Sequence, residues 1–347
     1  MKLLELLTQT PGVAGREERI REVIRKEMEA SCDEVRSDAL GNLIGLKKGS
    51  GQGKIMLAAH MDEIGFLVKY IDDKGFVRLQ PVGGFDPRML MGRRVIVHGK
   101  VDLIGNLSPS TKPVHILTEE EKKKQLQIKD FFVDLGLPHE QVKEKVEIGD
   151  PVSLRQEFAR IGNNYSSKAM DDRAGVLVML EAIKKIQQHR ADIYMVATVQ
   201  EEVGLRGALT SSFGIVPDLG IALDVTLAAD YPGGEEPEYV TRLGEGVAIK
   251  IMDSASISDH NLVKRLREIA RSENIKHQME ILPRGGTDAG SIQLSRTGIP
   301  VATLSVPCRY IHTVNEMVNR NDLEAAIDLL ASFLNKTDPL DLNTGSI

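Results

Sequence analysis

Apolar runs of strand length stop abruptly at acids or histidines. Residues 55–59 lead into His60 and Asp62, residues 193–199 into Glu201 and Glu202, residues 219–223 into Asp224, and residues 300–306 toward His312. These runs read as buried strands. Helical patterns lie among them: residues 17–28, 171–187, 259–272 and 321–334 place apolar side chains near a 3.6-residue period, as in Val176, Leu177, Leu180 and Ile183. Further strands are expected at 42–46, 246–252 and 278–282. Strands alternating with helices imply an α/β sheet flanked by helices.

The middle of the chain has another texture. Residues 65–70 and 76–79 flank the turn sequence Asp72-Asp73-Lys74-Gly75, and residues 93–97 and 100–104 are short strand patterns broken by glycines. The charged stretch 118–127 suits either a surface helix or a loop. The simplest assembly is an α/β domain of residues 1–67 and 163–347 with a small β-rich unit, 68–162, inserted into it. The tail after Lys336 is polar and expected to fray.

Composition narrows the function. The chain of 347 residues carries a net charge of −6, 4% aromatics and no Trp, which argues against nucleic-acid binding. No apolar run is long enough for a membrane helix. The start, Met1 to Glu5, holds an acid and does not read as a signal peptide. Cys32 and Cys308 are too few for a disulfide framework, so a cytoplasmic enzyme is expected.

The strand-end residues suggest the chemistry. His60 and Asp62 stand two apart and can share a face, with the aspartate fit to hold the histidine's second nitrogen. Asp171-Asp172-Arg173 opens a helix, where capping alone would explain the acids. Glu201 and Glu202 would repel each other at a strand end unless a cation or a proton separates their roles. Asp224 closes an apolar run, and His312 follows Cys308 and Arg309, the cysteine reading as a buried thiol. Three carboxylates (Asp171, Glu202, Asp224) with two neutral histidines leave a pair of divalent cations one positive charge over, which one hydroxide cancels. Nitrogen and carboxylate donors suit zinc, cobalt or manganese.

The sequence resembles the metallo-aminopeptidases that assemble into tetrahedral dodecamers, known variously as glutamyl aminopeptidase, deblocking aminopeptidase or endoglucanase M. The likeness runs through Gly41-Asn42-Leu43-Ile44, His60-Met61-Asp62-Glu63-Ile64-Gly65, Val82-Gly83-Gly84, Lys112-Pro113-Val114-His115, Asp171-Asp172-Arg173-Ala174-Gly175, Glu201-Glu202-Val203-Gly204, Gly286-Thr287-Asp288-Ala289 and Arg309-Tyr310-Ile311-His312-Thr313. The resemblance implies a zinc-exopeptidase-like mixed α/β sheet with an inserted PDZ-like β-barrel serving dimerisation. It implies two divalent metal ions per subunit, zinc or cobalt with manganese as another option. His60 and Asp224 would bind one metal and Glu202 and His312 the other, with Asp171 bridging and a cis bond between Asp171 and Asp172. Glu201 would be the general base, and Asp62 would orient His60. Gly286, Thr287, Asp288 and Arg309 are the substrate-binding candidates, although a capped turn explains the first three equally well. The implied reaction is hydrolysis of the N-terminal residue from peptides by a metal-bridging hydroxide, inside a hollow shell of twelve subunits. Another two-metal amidohydrolase, an N-acyl deacylase or carboxypeptidase, is the alternative. No role follows for His115 or Cys308.

Overall fold

The computed structural model describes residues 2–340. Eleven strands of the described residues form one mixed sheet. Its centre is parallel, in the order Asp192–Thr198, Lys54–His60, Leu219–Leu227, Val301–Arg309. Antiparallel strands extend it: Leu43–Lys47 and Glu34–Ser37 on one side, Glu316–Asn319, Asn164–Ser167 and Ala159–Ile161 on the other. Val247–Met252 and His277–Ile281 branch from Val301–Arg309.

The central strands are buried along nearly their whole length because helices cover both faces. Alternation sorts their side chains. Ile55, Leu57, Ala59, Ile221 and Leu223 share a core with Met170–Lys184 and Arg320–Lys336. Met56, Ala58 and Ala222 face Ala208 and Ile215 of Arg206–Ile215, and Ala289 and Ile292 of Asp288–Gln293. Leu57 is fully buried, and its truncation to Ala would cost about 2–5 kcal/mol.

The second unit is a closed antiparallel barrel in the order Gly65–Ile71, Val77–Val82, Phe131–Asp134, Asp102–Pro109, Arg93–His98, Pro151–Arg155. Its own core holds Phe66, Val77, Val95, Leu107, Phe131 and Val152. Closure leaves no open sheet edge. The strand expected at 100–104 lies instead at Asp102–Pro109, since Lys100 turns aside to donate its amide to the Lys145 carbonyl at 2.9 Å. The stretch 118–127 divides: Glu119–Lys123 is a helix closed by a Thr118–Glu121 capping box, and no regular element follows until Ile128–Asp130. At Thr337 and Asp338 the chain is docked rather than frayed, both being buried and Asp338 paired with Arg190 at 3.2 Å. Residues 341–347 of that tail lie outside the described residues. Among the described residues no helix is long and apolar enough to cross a membrane.

Candidate active site

The parallel strands deliver the polar residues to one edge of the sheet, where open α/β sheets keep their sites. Lys54–His60 ends on His60, and the loop after Asp192–Thr198 carries Glu201 and Glu202. Asp224 does not close its strand: Leu219–Leu227 runs three residues further because Val225, Thr226 and Leu227 stay in register with Val306, Pro307 and Cys308. Asp171 and Asp172 stand at the start of Met170–Lys184 but leave helical geometry, and the peptide between them is cis. Ala169, Gln200, Tyr310 and His312 all take left-handed backbone, with φ of 55°, 55°, 62° and 62°. Such backbone is disfavoured for side chains other than glycine, and it gathers at functional sites.

His60 Nε2 lies 2.9 Å from Asp171 Oδ1, and 4.0 Å from both Glu201 Oε2 and Asp224 Oδ1. His312 Nε2 lies 3.5 Å from Asp171 Oδ2 and 3.3 Å from Glu202 Oε1. Asp171 thus stands between the two imidazoles. Donor atoms of His60, Asp171 and Glu202 fall within 4.8 Å of one another, as do those of His60, Asp172 and Asp224. Asp62 is fully buried: its carbonyl faces His60 Nδ1 at 3.2 Å, while its carboxylate lies 3.6 Å from that nitrogen and accepts the amides of Glu201 and Glu202.

Electrostatics set this cluster apart. Burial raises the carboxyls of Glu201, Glu202 and Asp224, and neighbouring acids push further: Asp224 and Asp288 on Glu201, Asp171 on Glu202 and on Asp224. Burial opposes a charge on either histidine, but the carboxylates outweigh it, carrying His312 to about 11 and His60 well above its ordinary value. Asp171 feels burial too, yet the two imidazoles hold it below the usual carboxylate range. So many acids around two imidazoles call for added positive charge. The donor set of nitrogens and carboxylates, without thiolate, fits a pair of divalent cations.

Beside these groups opens a cavity of about 580 Å³. Gly286 and Thr287 line it together with Leu227, Lys250, Leu282 and Arg284. Asp288 is buried behind it and accepts from Thr198 Oγ1 at 2.5 Å. Arg309 is not among the lining residues. Its guanidinium is committed to Asp230, at 2.7 and 2.9 Å. Cys308 is buried, with its Sγ 3.5 Å from the Arg309 carbonyl, and His115 is exposed in a short turn.

Three contributors were not anticipated. Asp172 reaches the His60–Asp224 group; one of its oxygens accepts from the Gly175 amide and the other has no partner. A Cβ at Gly175 would stand 2.4 Å from that carboxylate, so a larger residue there would displace the Asp172 side chain. Glu316 accepts from the amides of Asp171 and His312, at 3.1 and 2.8 Å, and so ties two expected ligands to one strand. Its spacing of four from His312 was the available signal. Lys250 is a buried cation that draws the Asp224 carboxyl down and pairs with Glu280 at 3.2 Å and Asp253 at 3.5 Å.

The family model described as M42 glutamyl aminopeptidase matches residues 41–329. An aminopeptidase structure from the archaeon Desulfurococcus kamchatkensis is 38% identical with a TM-score of 0.94, covering 100% of this chain and 98% of that one. The lysyl aminopeptidase of Pyrococcus furiosus is 34% identical, with 98% of each chain covered. The TET1 peptidase of Pyrococcus horikoshii, which can assemble into a tetrahedron or a large octahedral shell, is 32% identical with a TM-score of 0.87, covering 97% of this chain and 99% of that one. With a family model matched over most of its length, close likeness to solved aminopeptidases and two adjacent donor groups able to take metal ions, the chain belongs to the M42 glutamyl aminopeptidase family and is a metallo-aminopeptidase.

Proposed function

We propose that the chain releases the N-terminal residue of peptides at a pair of divalent cations, zinc, cobalt or manganese. His60 and Asp224 hold one, Glu202 and His312 the other, and Asp171 is shared between them. The observation that carries this reading is the placement of Asp171, one oxygen toward His60 at 2.9 Å and the other toward His312 at 3.5 Å. Bound there, two cations supply Lewis acidity, lowering the pKa of a water from about 15.7 to about 7 and polarising the scissile carbonyl.

Of the acids outside the proposed ligand set, Glu201 is the one beside His60 that lines the cavity, whereas Asp62 and Asp172 do not. It faces the same cavity and acts as general base, taking a proton from the attacking water and returning it to the leaving amine. Asp62 holds the backbone of base and ligand together through their amides. Gly286 and Thr287 border the space for the first side chain, and Asp288 follows them in the chain, bonded to Thr198. Beyond the central acids and histidines, Arg284 lines that space together with the buried, acid-paired Lys250, so the Arg284 guanidinium is the cation that favours acidic first residues over basic ones.

The catalytic part, expected at residues 1–67 and 163–347, is the unit of the large sheet, which also takes in Ala159–Ile161, and the inserted barrel, which begins at Gly65 rather than at 68, serves dimerisation and assembly toward a dodecamer. Exposed apolar side chains on that unit, among them Val114, Ile116 and Ile148, support the assignment, as does the tetrahedron into which the Pyrococcus horikoshii TET1 peptidase can assemble.

A panel of aminoacyl-p-nitroanilides and N-acetyl amino acids tests the reading, before and after chelation and re-addition of zinc, cobalt or manganese. The anilides should be cleaved only by metal-loaded protein. Hydrolysis that survives chelation, or turnover confined to the N-acyl compounds, would overturn it.

A further inference from the structure

The loop bearing Glu201 and Glu202 offers three consecutive backbone amides, and each donates to a buried carboxylate. Gln200 N reaches Glu17 Oε1 at 3.2 Å, Glu201 N reaches Asp62 Oδ1 at 3.0 Å, and Glu202 N reaches Asp62 Oδ2 at 3.2 Å. Asp62 lies just past a central strand. Glu17 comes from the other end of the domain, immediately before the helix Glu18–Glu29. It occupies the N-cap position of that helix, yet its side chain makes no capping bond. The carboxylate turns instead to the Gly15 amide, at 2.6 Å, and to Gln200. It is 4% exposed. Burying a carboxylate costs free energy that its hydrogen bonds must offset. Here they fasten a residue held at φ 55°, where a side chain other than glycine is disfavoured as well.

The direction in which Glu201 leaves the backbone depends on that left-handed residue. We propose that Glu17 is a positioning residue for Glu201: its bond to the Gln200 amide pins the turn, and so keeps the Glu201 carboxylate aimed into the cavity. Glu17 acts through the loop and touches neither peptide nor metal. The proposal rests on Glu201 being the general base.

Glu17→Ala, Glu17→Gln and Glu17→Asp, in metal-loaded protein with and without Gln200→Gly, test it through kcat, KM, metal content and thermal midpoint. Glu17→Ala should lower kcat by about 10- to 100-fold, because small misplacements of a reacting group have effects of that size. KM should stay within about twofold, with both metals retained, as expected when an interaction used in the transition state is lost. Glu17→Gln keeps an acceptor oxygen and should stay within about threefold of the parent kcat, since it preserves the same hydrogen bonds. Glycine adopts the left-handed conformation freely, so the loss from Glu17→Ala should shrink in the Gln200→Gly background. An unchanged kcat in Glu17→Ala, or an equal loss in both backgrounds, would overturn the proposal. Should Glu17→Ala fail to fold, Glu17→Asp decides: its shorter arm should lower kcat while Glu17→Gln does not, and an unchanged kcat rejects the role. A fully active Glu201→Gln would remove the general-base reading itself, whatever Glu17 does. An inactive Glu201→Gln beside a fully active Glu17→Ala removes the Glu17 proposal alone.

Discussion

His60 and His98 each end a strand and each face an aspartate, one on the large sheet and the other on the barrel. His98 lies 2.9 Å from Asp102 Oδ1 and 2.9 Å from Ser153 Oγ. Arg19, from the helix Glu18–Glu29, grips the same Asp102 at 2.6 and 2.9 Å. That guanidinium is the main reason the Asp102 carboxyl falls to about 2, against a smaller opposing effect of burial. The barrel cluster is therefore neutralised by a cation from the other unit, and that pair links the two. Around His60 the acids outnumber the cations, and three of the carboxyls named above rise under burial and mutual repulsion. A histidine beside an acid thus says little. What marks a metal centre is an uncompensated surplus of donors facing one cavity.

The contrast can be broken at either cluster. The largest effect is expected from Asp171→Asn, which should lose bound metal together with turnover; elemental analysis showing a full metal complement would end its role as shared ligand. Glu201→Gln should keep the metals yet lower kcat by about 10²–10⁴-fold, the range for a general base. On the barrel, Ser153–His98–Asp102 has the order of a nucleophilic triad, but Ser153 is 1% exposed and closed to substrate. Ser153→Ala should leave kcat unchanged and cost about 0.5–1.5 kcal/mol of stability for the lost hydrogen bond, measured by denaturant unfolding. Labelling of Ser153 by a fluorophosphonate probe would contradict that view.

Asp102→Asn should have the smallest effect, about 0.2–1 kcal/mol, because the pair with Arg19 is solvent-exposed. A carboxyl whose folded pKa is depressed stabilises above its unfolded value and loses that contribution as pH falls through the folded one. The difference between parent and Asp102→Asn should thus be full above about pH 4 and shrink toward about pH 2.

The parallel strands were readable because burial on both faces writes them as unbroken apolar runs, and their ends pointed to the acids and histidines. The helix Arg206–Ile215 was not readable: its serines, threonine and glycines are indifferent helix formers, and packing against Asp288–Gln293 decides its state. The edge strand Glu34–Ser37 escaped for a related reason, since it is largely exposed and carries no core pattern. Asp172 looked like a helix cap, and it does accept a helix amide, but the broken helical geometry also turns it toward Asp224. Glu316 sits in a short strand with no second acid beside it, so its hold on Asp171 and His312 appears only in three dimensions.

The proposed ligands are spread from His60 to His312, on strands that meet only when distant parts of the chain have paired. His60 lies early in the sequence and His312 late, so neither imidazole has the other at hand until the sheet between them has formed. The proposed pair of cations can therefore be held only after the whole parallel sheet has closed, so metal uptake should report completed folding rather than precede it.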